Sequence, residues 1–206
     1  MNRWLYDRAA SDYEKKWASA AYDNAAIHGE VQAFASASLA GSKTHRVLDL
    51  GCGTGRGVRL LADELPSDTE FLGVDFSAGM LQRFSEWRAL QDKELQNRIT
   101  LLQQDIRTYA ADPGADAFGL VLLLEVGEFL PGFSTAMQNV ATRIAPAGGL
   151  IMTRPAGAWP LFFPSRKQSR SGLVSLLANL GFESPRFLPW RPRYELVFAV
   201  KRSGPN

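Results

Sequence analysis

The stretch VLDLGCGTGRG, residues 47–57, constrains the fold of this chain more than any other segment. It joins an apolar run to a loop that contains Gly51, Gly53 and Gly55. Glycine has no Cβ, so such a loop can turn sharply and lets a ligand approach the backbone closely. In open α/β sheets, ligands bind where a strand ends in a loop of this kind. The stretch therefore predicts an α/β protein with a ligand at the end of its first strand.

Short apolar runs continue along the chain and alternate with segments of helical period. In order, the runs read RVLDL, TEFLGVD, ITLLQQD, AFGLVLLL, GLIMT, PRFLPW and YELVFAV. Apolar residues at consecutive positions are typical of strands buried on both faces of a parallel sheet. The helical spacing is followed by Val58, Leu61, Ala62 and Leu65, by Met80, Phe84 and Trp87, and by Leu173, Leu176, Leu177 and Leu180 before Gly181. This alternation predicts a parallel sheet with helices on both faces.

Both ends of the chain depart from this alternation. The link between the last two runs is too short for a crossover, so one terminal strand is expected to run antiparallel. Near the other end, Ile27, Val31 and Phe34 follow helical spacing, and residues 1–40 are interpreted as a helical cap on the sheet. The predicted fold is a three-layer α/β sandwich. It has a seven-stranded, mostly parallel sheet with an antiparallel C-terminal hairpin strand and an N-terminal helical cap.

Composition narrows the class of protein. The chain has 206 residues, of which 46% are hydrophobic and 21% charged, a balance that fits one globular domain. The formal net charge is only +2 and the basic residues are scattered, so we expect no nucleic-acid partner. The single cysteine, Cys52, excludes a cysteine-based metal cluster and fits a reducing compartment, so we expect no metal and a cytoplasmic location. No apolar run is long enough to span a bilayer, so we expect no membrane partner.

The spacing of the glycine loop argues against a phosphate ligand. A dinucleotide fingerprint reads G-x-G-x-x-G, whereas this loop has glycines at alternate positions and Arg56 where the third fingerprint glycine would stand. It also lacks the G-K-[ST] ending of a phosphate-binding P-loop. Asp49, just before the loop, would repel a bound phosphate. A ligand with a cationic end suits this carboxylate better.

These residues resemble motif I of the class I S-adenosylmethionine-dependent methyltransferases, whose consensus is close to V-L-D-x-G-C-G-x-G. Further landmarks of that family follow in order: FLGVDFSAGML (71–81), LLQQDI (101–106), FGLVLLLEVGEFL (118–130) and APAGGLIMT (145–153). The resemblance covers about residues 45–153 and implies a cofactor-binding core there, with a substrate-side loop, helix and hairpin over residues 154–206. One departure is Gly119, where the family usually has Asp.

The resemblance implies a set of residues around S-adenosylmethionine. Asp75 would take both ribose hydroxyls, Phe76 and Met80 would enclose the adenine, and Asp105 and Ile106 would meet its amine and ring. Asp49 and the loop would face the amino-acid end of the cofactor. The full predicted cofactor set is Asp49, Gly51, Cys52, Gly53, Gly55, Asp75, Phe76, Met80, Asp105, Ile106, Leu124 and Glu125. The alternatives for Asp75 and Asp105 are capping roles at the turns that follow them.

The implied activity is transfer of a methyl group from S-adenosylmethionine to an acceptor, giving S-adenosylhomocysteine. A small molecule is the expected acceptor, while the sequence defines neither the methylated atom nor the oligomeric state. A general base is needed only if the acceptor must lose a proton. Glu125, Glu128 and Tyr13 are candidates for that role. The alternatives are a cofactor contact for Glu125, solvation for Glu128 and helix packing for Tyr13.

Other interpretations stay open at this point. His28 is the only histidine in the cap that could reach the site, and its alternative is a surface position. Trp159, Phe162 and Phe163 could cover the acceptor or pack the cap. The chain could also be a non-catalytic S-adenosylmethionine-binding module or a regulatory subunit, or a nicotinamide-dependent oxidoreductase of related fold.

Overall fold

The computed structural model describes residues 25–112, 116–156, 169–191 and 193–204. Tyr13 and the aromatic cluster at 159–163 lie outside these ranges, so their predicted roles are not addressed by the structure.

Seven strands form a single sheet in the described part of the chain. They are β1 (Arg46–Leu50), β2 (Glu70–Asp75), β3 (Ile99–Gln103), β4 (Phe118–Leu123), β5 (Ile144–Pro155), β6 (Arg186–Arg191) and β7 (Tyr194–Val200). Their order in the sheet is β3-β2-β1-β4-β5-β7-β6. Strands β1 to β5 run parallel to one another, and β7 runs antiparallel to both β5 and β6. The predicted mixed sheet and its antiparallel hairpin are confirmed.

Helices cover both faces of the sheet. They are α1 (Ala25–Gly41), α2 (Arg56–Leu61), α3 (Ala78–Ala89), α4 (Lys93–Arg98), α5 (Ile106–Ala111), α6 (Phe133–Thr142) and α7 (Arg170–Asn179). Helices α1 to α4 supply apolar residues to one core, and α5 to α7 supply the other. Alternate residues of each strand serve the two cores, as with Val47 on the first face and Leu48 on the second. This is the expected three-layer sandwich.

The strand order reverses beside β1, because β2 lies on one side of it and β4 on the other. The carboxyl ends of these strands are where ligands bind in such sheets. The segments that leave β1, β2 and β4 at this edge carry most of the predicted site residues. The topology therefore places those residues together.

Some element boundaries differ from the sequence prediction. Helix α2 ends at Leu61, so Leu65 follows the helix, although its side chain is buried in the same core. Strand β5 extends beyond GLIMT in both directions: Ile144 pairs with Phe118 of β4 before it, and β7 pairs with Arg154 and Pro155 after it. None of the described helices is long and apolar enough to cross a membrane.

Candidate active site

The loop after β1 is held in place by the neighbouring strand. The amides of Gly51 and Cys52 both donate to the carbonyl of Val74 in β2, at 2.8 and 3.2 Å. Gly51 has φ +74°, and a Cβ built on it would lie 2.3 Å from the side chain of Val126. Gly53 has φ +53°, but a Cβ there would meet no protein atom within 4 Å. The first glycine is needed for packing, whereas the second leaves open space beside the backbone.

Asp49 lies at the end of β1 with its side chain on the α1 side of the sheet. It is 3% exposed and lines the larger of two cavities at this edge, which has a volume of about 520 Å³. Burial, and then the charge of Asp75, raise the pKa of Asp49 to about 7. Among the described residues, no group donates a hydrogen bond to this carboxylate. A cationic ligand group would therefore be well matched to it.

Asp75 ends β2 and faces the second cavity, which has a volume of about 170 Å³. Its Oδ2 accepts a hydrogen bond of 2.9 Å from the amide of Gly53, and its Oδ1 accepts one of 2.8 Å from the amide of Ser77. Ser77, and not Asp75, is the residue that caps α3, since its side chain accepts from the amide of Met80. A carboxylate oxygen can accept more than one hydrogen bond, so a carboxylate that holds backbone amides can also bind a ligand.

The smaller cavity has the apolar lining that a planar base requires. Phe76, Met80 and Ile106 line it, together with Leu124 from the end of β4. Asp105 also lines it, but its carboxylate is bound by Arg107 through the backbone amide at 2.9 Å and through the guanidinium at 2.9 and 2.6 Å. Asp105 therefore has the capping role that was the alternative to an adenine contact, because it caps the first turn of α5. The hydrogen bonds from Arg107 also lower the pKa of its carboxyl group. The predicted adenine contact stays a prediction.

Cys52 is buried and lines the larger cavity. Burial, and then Asp49 and Asp75, raise the pKa of its thiol well above the ordinary value. A neutral buried thiol is a poor nucleophile, which agrees with a packing role for this residue.

The larger cavity lies between the glycine loop, helix α1 and the C-terminal hairpin. Ile27, His28 and Val31 of α1 form one wall, and Trp190 and Leu196 of the hairpin form another. His28 is half-buried there, so the structure favours a position at the cavity over a surface position for it. Arg56 and Arg59 of α2 complete the lining beside α1.

Glu125 lies where the two cavities meet, because it lines both. Its backbone has φ +56°, and its amide donates to Oγ1 of Thr153 at 2.7 Å. Its Oε1 accepts a hydrogen bond of 2.5 Å from Nη1 of Arg191, whose side chain is only 2% exposed. The Glu125 carboxylate is therefore held in an ion pair that links the loop after β4 to the end of β6.

Glu128 lies in a short 3-10 turn, Gly127–Phe129, and is 1% exposed. The interpretation of Glu128 as a solvated residue is wrong, because this turn packs against β5. Its Oε1 accepts a hydrogen bond of 2.8 Å from the hydroxyl of Tyr194. Burial raises its pKa to about 7, with a smaller contribution from the charge of Glu125. Glu128 is not among the residues that line either cavity.

Sequence reasoning missed several residues at this edge. Arg56 had a signal, since it stands inside the glycine loop motif. No sequence pattern pointed to Arg59, Trp190 or Arg191. The face that α2 turns toward the cavity and the position of β6 in the sheet determine where these side chains lie. Arg154, near the end of β5, is ion-paired with Glu195 at 2.6 Å. Among the described residues, no cluster of three or more His, Cys, Asp or Glu side chains is placed to hold a metal ion.

Comparison with known proteins agrees with this geometry. A family model described as a methyltransferase domain matches residues 47–148. A trans-aconitate 2-methyltransferase from Azoarcus sp. (strain BH72) is 32% identical over 109 residues, which cover 53% of this chain and 38% of that protein. A malonyl-[acyl-carrier protein] O-methyltransferase from Paenibacillus sp. (strain JDR-2) is 25% identical over 150 residues, covering 66% of this chain and 50% of that protein. The matches thus cover half or less of these curated relatives.

Solved structures share the fold at low sequence identity. The N-methyltransferase NodS from Bradyrhizobium japonicum WM9 superposes with a TM-score of 0.64 at 17% identity, over 86% of this chain and 96% of that one. At this identity the similarity concerns the fold alone.

Proposed function

Because the chain belongs to the class I S-adenosylmethionine-dependent methyltransferases, we propose that it transfers a methyl group from S-adenosylmethionine to a small-molecule acceptor. The observation that carries the proposal is the placement of Asp49 and Asp75 at the ends of adjacent strands, with the glycine loop between them. A carboxylate for a cation in the larger cavity and a carboxylate for a diol in the adjoining smaller one match the two polar parts of that cofactor.

The residues present fit the cofactor on three counts. The open space beside Gly53 allows a ligand to approach the backbone where any other residue would place a Cβ. The Asp49 carboxylate suits an ammonium group, and the apolar lining of the smaller cavity suits a purine. Asp75 would hold the ribose, while Phe76, Met80 and Ile106 would enclose the adenine. Leu124 and Glu125 would lie beside the sugar and the amino-acid end.

When bound, S-adenosylmethionine supplies a methyl group activated by its sulfonium. The protein's contribution is then to align the acceptor and exclude water, and alignment supplies about 7–11 kcal/mol in well-oriented systems. Helix α1 and the hairpin enclose the larger cavity, in which we place the methionine end and the acceptor. Glu125 acts as a fixed wall between the two cavities, because Arg191 holds its carboxylate.

The acceptor is proposed to be a small molecule and not a nucleic acid. Scattered basic residues support this, as does the relative named for trans-aconitate. A cytoplasmic location is part of the same proposal, supported by the single reduced cysteine.

Calorimetry with S-adenosylhomocysteine and with NADH tests the cofactor. Binding of NADH without binding of S-adenosylhomocysteine would contradict the proposal and favour an oxidoreductase. Incubation with methyl-labelled S-adenosylmethionine and a metabolite extract then tests catalysis. Binding without any transfer of label would favour the non-catalytic module.

A further inference from the structure

The strand β6 carries an extra residue near its carboxyl end. Pro189 pairs with Glu195 of β7, and Arg191 pairs with Tyr194. Because Glu195 and Tyr194 are adjacent in β7, Trp190 is the extra residue of a β-bulge. Bulges are common at sheet edges and beside binding sites, where they redirect a side chain. Trp190 lines the larger cavity, so this bulge presents an aromatic ring to it.

The direction of β6 brings this ring to the ligand-binding edge of the sheet. Strands β5 and β6 both run antiparallel to β7, so β6 runs in the same direction as β1 to β5. Its last two residues, Trp190 and Arg191, therefore arrive at the edge where the glycine loop lies. The guanidinium of Arg191 lies 3.9 Å from the centre of the Trp190 ring and donates to Glu125 at 2.5 Å. The ring is thus supported by the residue that fixes the wall between the two cavities.

Apolar side chains from four elements and a loop surround Trp190 in the described lining of the larger cavity. They are Ile27, Val31, Leu60, Leu124, Ile151 and Leu196. The basic residues of the same lining, His28, Arg56 and Arg59, each already interact with other groups of the protein. The apolar side chains therefore offer an apolar ligand a matching surface.

The two walls that face this space are held together by contacts outside the cavity. Glu30 of α1 pairs with Arg186 of β6 at 2.8 Å. The rings of Phe34 in α1 and Phe198 in β7 have their centres 5.1 Å apart. The space between α1 and the hairpin is therefore fixed by the fold before a ligand enters, which lowers the entropic cost of binding.

The larger cavity has room for more than the end of the cofactor. Its volume of about 520 Å³ lies within the range of about 300–1,000 Å³ found for sites that hold a whole drug-sized molecule. The amino-acid end of S-adenosylmethionine is only a small part of such a molecule. An acceptor that contains one or two rings would fit beside it.

We propose that Trp190 determines acceptor specificity by packing against a flat, apolar body, and that the acceptor is therefore a small aromatic molecule. The inference rests on the proposed methyl transfer, names its substrate class and adds no chemical step. Contacts between aromatic rings favour a flat ring over a saturated one of similar size. Because Arg191 supports the Trp190 ring from one side, the ring is positioned before the acceptor binds.

Two probes of the same skeleton test the contact without turnover. Titration calorimetry on the S-adenosylhomocysteine complex compares 2-naphthol with decahydro-2-naphthol, its saturated counterpart. We expect 2-naphthol to bind about threefold or more tightly than the saturated probe. Trp190→Ala should weaken 2-naphthol binding by about tenfold and remove the preference, whereas Trp190→Phe should retain it. Equal affinities for both probes, or no binding of 2-naphthol up to its solubility limit, would overturn the inference.

Leu188→Ala is the matched control for the Trp190 variants. Leu188 lies on the same strand and packs on the same apolar core, but it is not among the residues that line the larger cavity. This variant should keep the affinity of wild type for 2-naphthol within about twofold. Losses of equal size in Leu188→Ala and Trp190→Ala would show damage to β6 and would overturn the inference. A similar loss of S-adenosylhomocysteine affinity in Trp190→Ala would place the ring at the cofactor and would also overturn it.

Turnover provides the second test. Wild-type protein is incubated with methyl-labelled S-adenosylmethionine and a metabolite extract, and the labelled products are separated by reversed-phase chromatography. We expect label in retained compounds that absorb in the near ultraviolet, as aromatic molecules do. With the purified acceptor, Trp190→Ala should raise KM by about tenfold and change kcat much less. Label confined to aliphatic products would overturn the inference, whereas absence of both S-adenosylhomocysteine binding and transfer would contradict the proposed function itself.

Discussion

The backbone amide of Gly53 donates a hydrogen bond of 2.9 Å to Oδ2 of Asp75. The bond joins the loop after β1 to the end of β2, and both residues line the smaller cavity. The residue proposed to hold the ribose therefore also fixes the loop that faces the rest of the cofactor. Because the two roles are combined, substitution of Asp75 should affect both ligand binding and the position of the loop.

Substitution Asp75→Ala should weaken binding of S-adenosylhomocysteine by about 100-fold or more. The substitution removes the two hydrogen bonds that the ribose hydroxyls would donate to this charged acceptor, each worth about 1.5–3 kcal/mol. Titration calorimetry measures the loss. Asp68→Ala is the control, since Asp68 is exposed and pairs only with His45 among the described residues. An affinity for Asp75→Ala close to that of wild type would contradict the ribose assignment.

Gly53→Ala and Gly132→Ala form a matched pair. Both glycines have positive φ, +53° and +64°, and a Cβ on either meets no protein atom within 4 Å. Each substitution should therefore cost only the conformational penalty of about 1–2 kcal/mol. Only Gly53→Ala should also weaken S-adenosylhomocysteine binding, by about tenfold or more, because its methyl group would occupy the ligand's space. Thermal unfolding and calorimetry on both variants check this, and equal affinities would place the ligand elsewhere.

Asp49 should make the ligand-free protein less stable as pH rises. Its pKa is 3.8 in a model compound and about 7 in the fold, so the protonated form stabilises the fold below pH 4. That contribution, about 4 kcal/mol in full, is lost as pH rises through 7. Urea unfolding at pH 5 and pH 8 should show Asp49→Asn gaining stability relative to wild type at the higher pH. The reverse trend would contradict the raised pKa.

The same carboxyl group should lose its proton when the ligand binds. An ammonium group beside Asp49 favours the ionised form and lowers its pKa. Binding of S-adenosylhomocysteine at pH 7 should therefore release protons, and the apparent binding enthalpy should differ between phosphate and Tris buffers. Asp49→Asn should abolish most of this difference and weaken binding by about tenfold or more.

The sheet was predictable because both sequence patterns that indicate it are local. Consecutive apolar residues identify buried strands, and the short link before Tyr194 requires a hairpin. The cofactor half of the site was predictable for the same reason, since Asp49 and Asp75 directly precede loops at strand ends. The structure brings these residues together around two cavities, while their individual roles stay predictions.

The acceptor half was much less predictable, because it depends on contacts between distant segments. Glu125 and Arg191 are 66 positions apart, and no local pattern relates them. Glu128 has the composition of an exposed turn, yet the turn packs on β5 and the side chain is buried. The helical spacing of α2 was visible, but the face that carries Arg56 and Arg59 is defined only by the packing of α1 beside it.

Breaking the pair between Glu125 and Arg191 should destabilise the protein strongly. Arg191→Met leaves the Glu125 carboxylate, which is only 14% exposed, without the guanidinium that neutralises it. Removal of one partner from a buried pair typically costs about 3–5 kcal/mol. Urea unfolding should show a loss of this size, while Arg83→Met, which breaks an exposed pair, should cost less than about 1 kcal/mol.

The double variant Glu125→Gln, Arg191→Met separates the ion pair from simple packing. If the cost of Arg191→Met comes from an uncompensated charge, removal of the charge on Glu125 should restore about half of the lost stability or more. Simple addition of the two single losses would show that Arg191 acts through packing alone. The affinity of the double variant for S-adenosylhomocysteine is then measured at a temperature where the variant is folded. It shows how much the ion pair contributes to the shape of the wall between the two cavities.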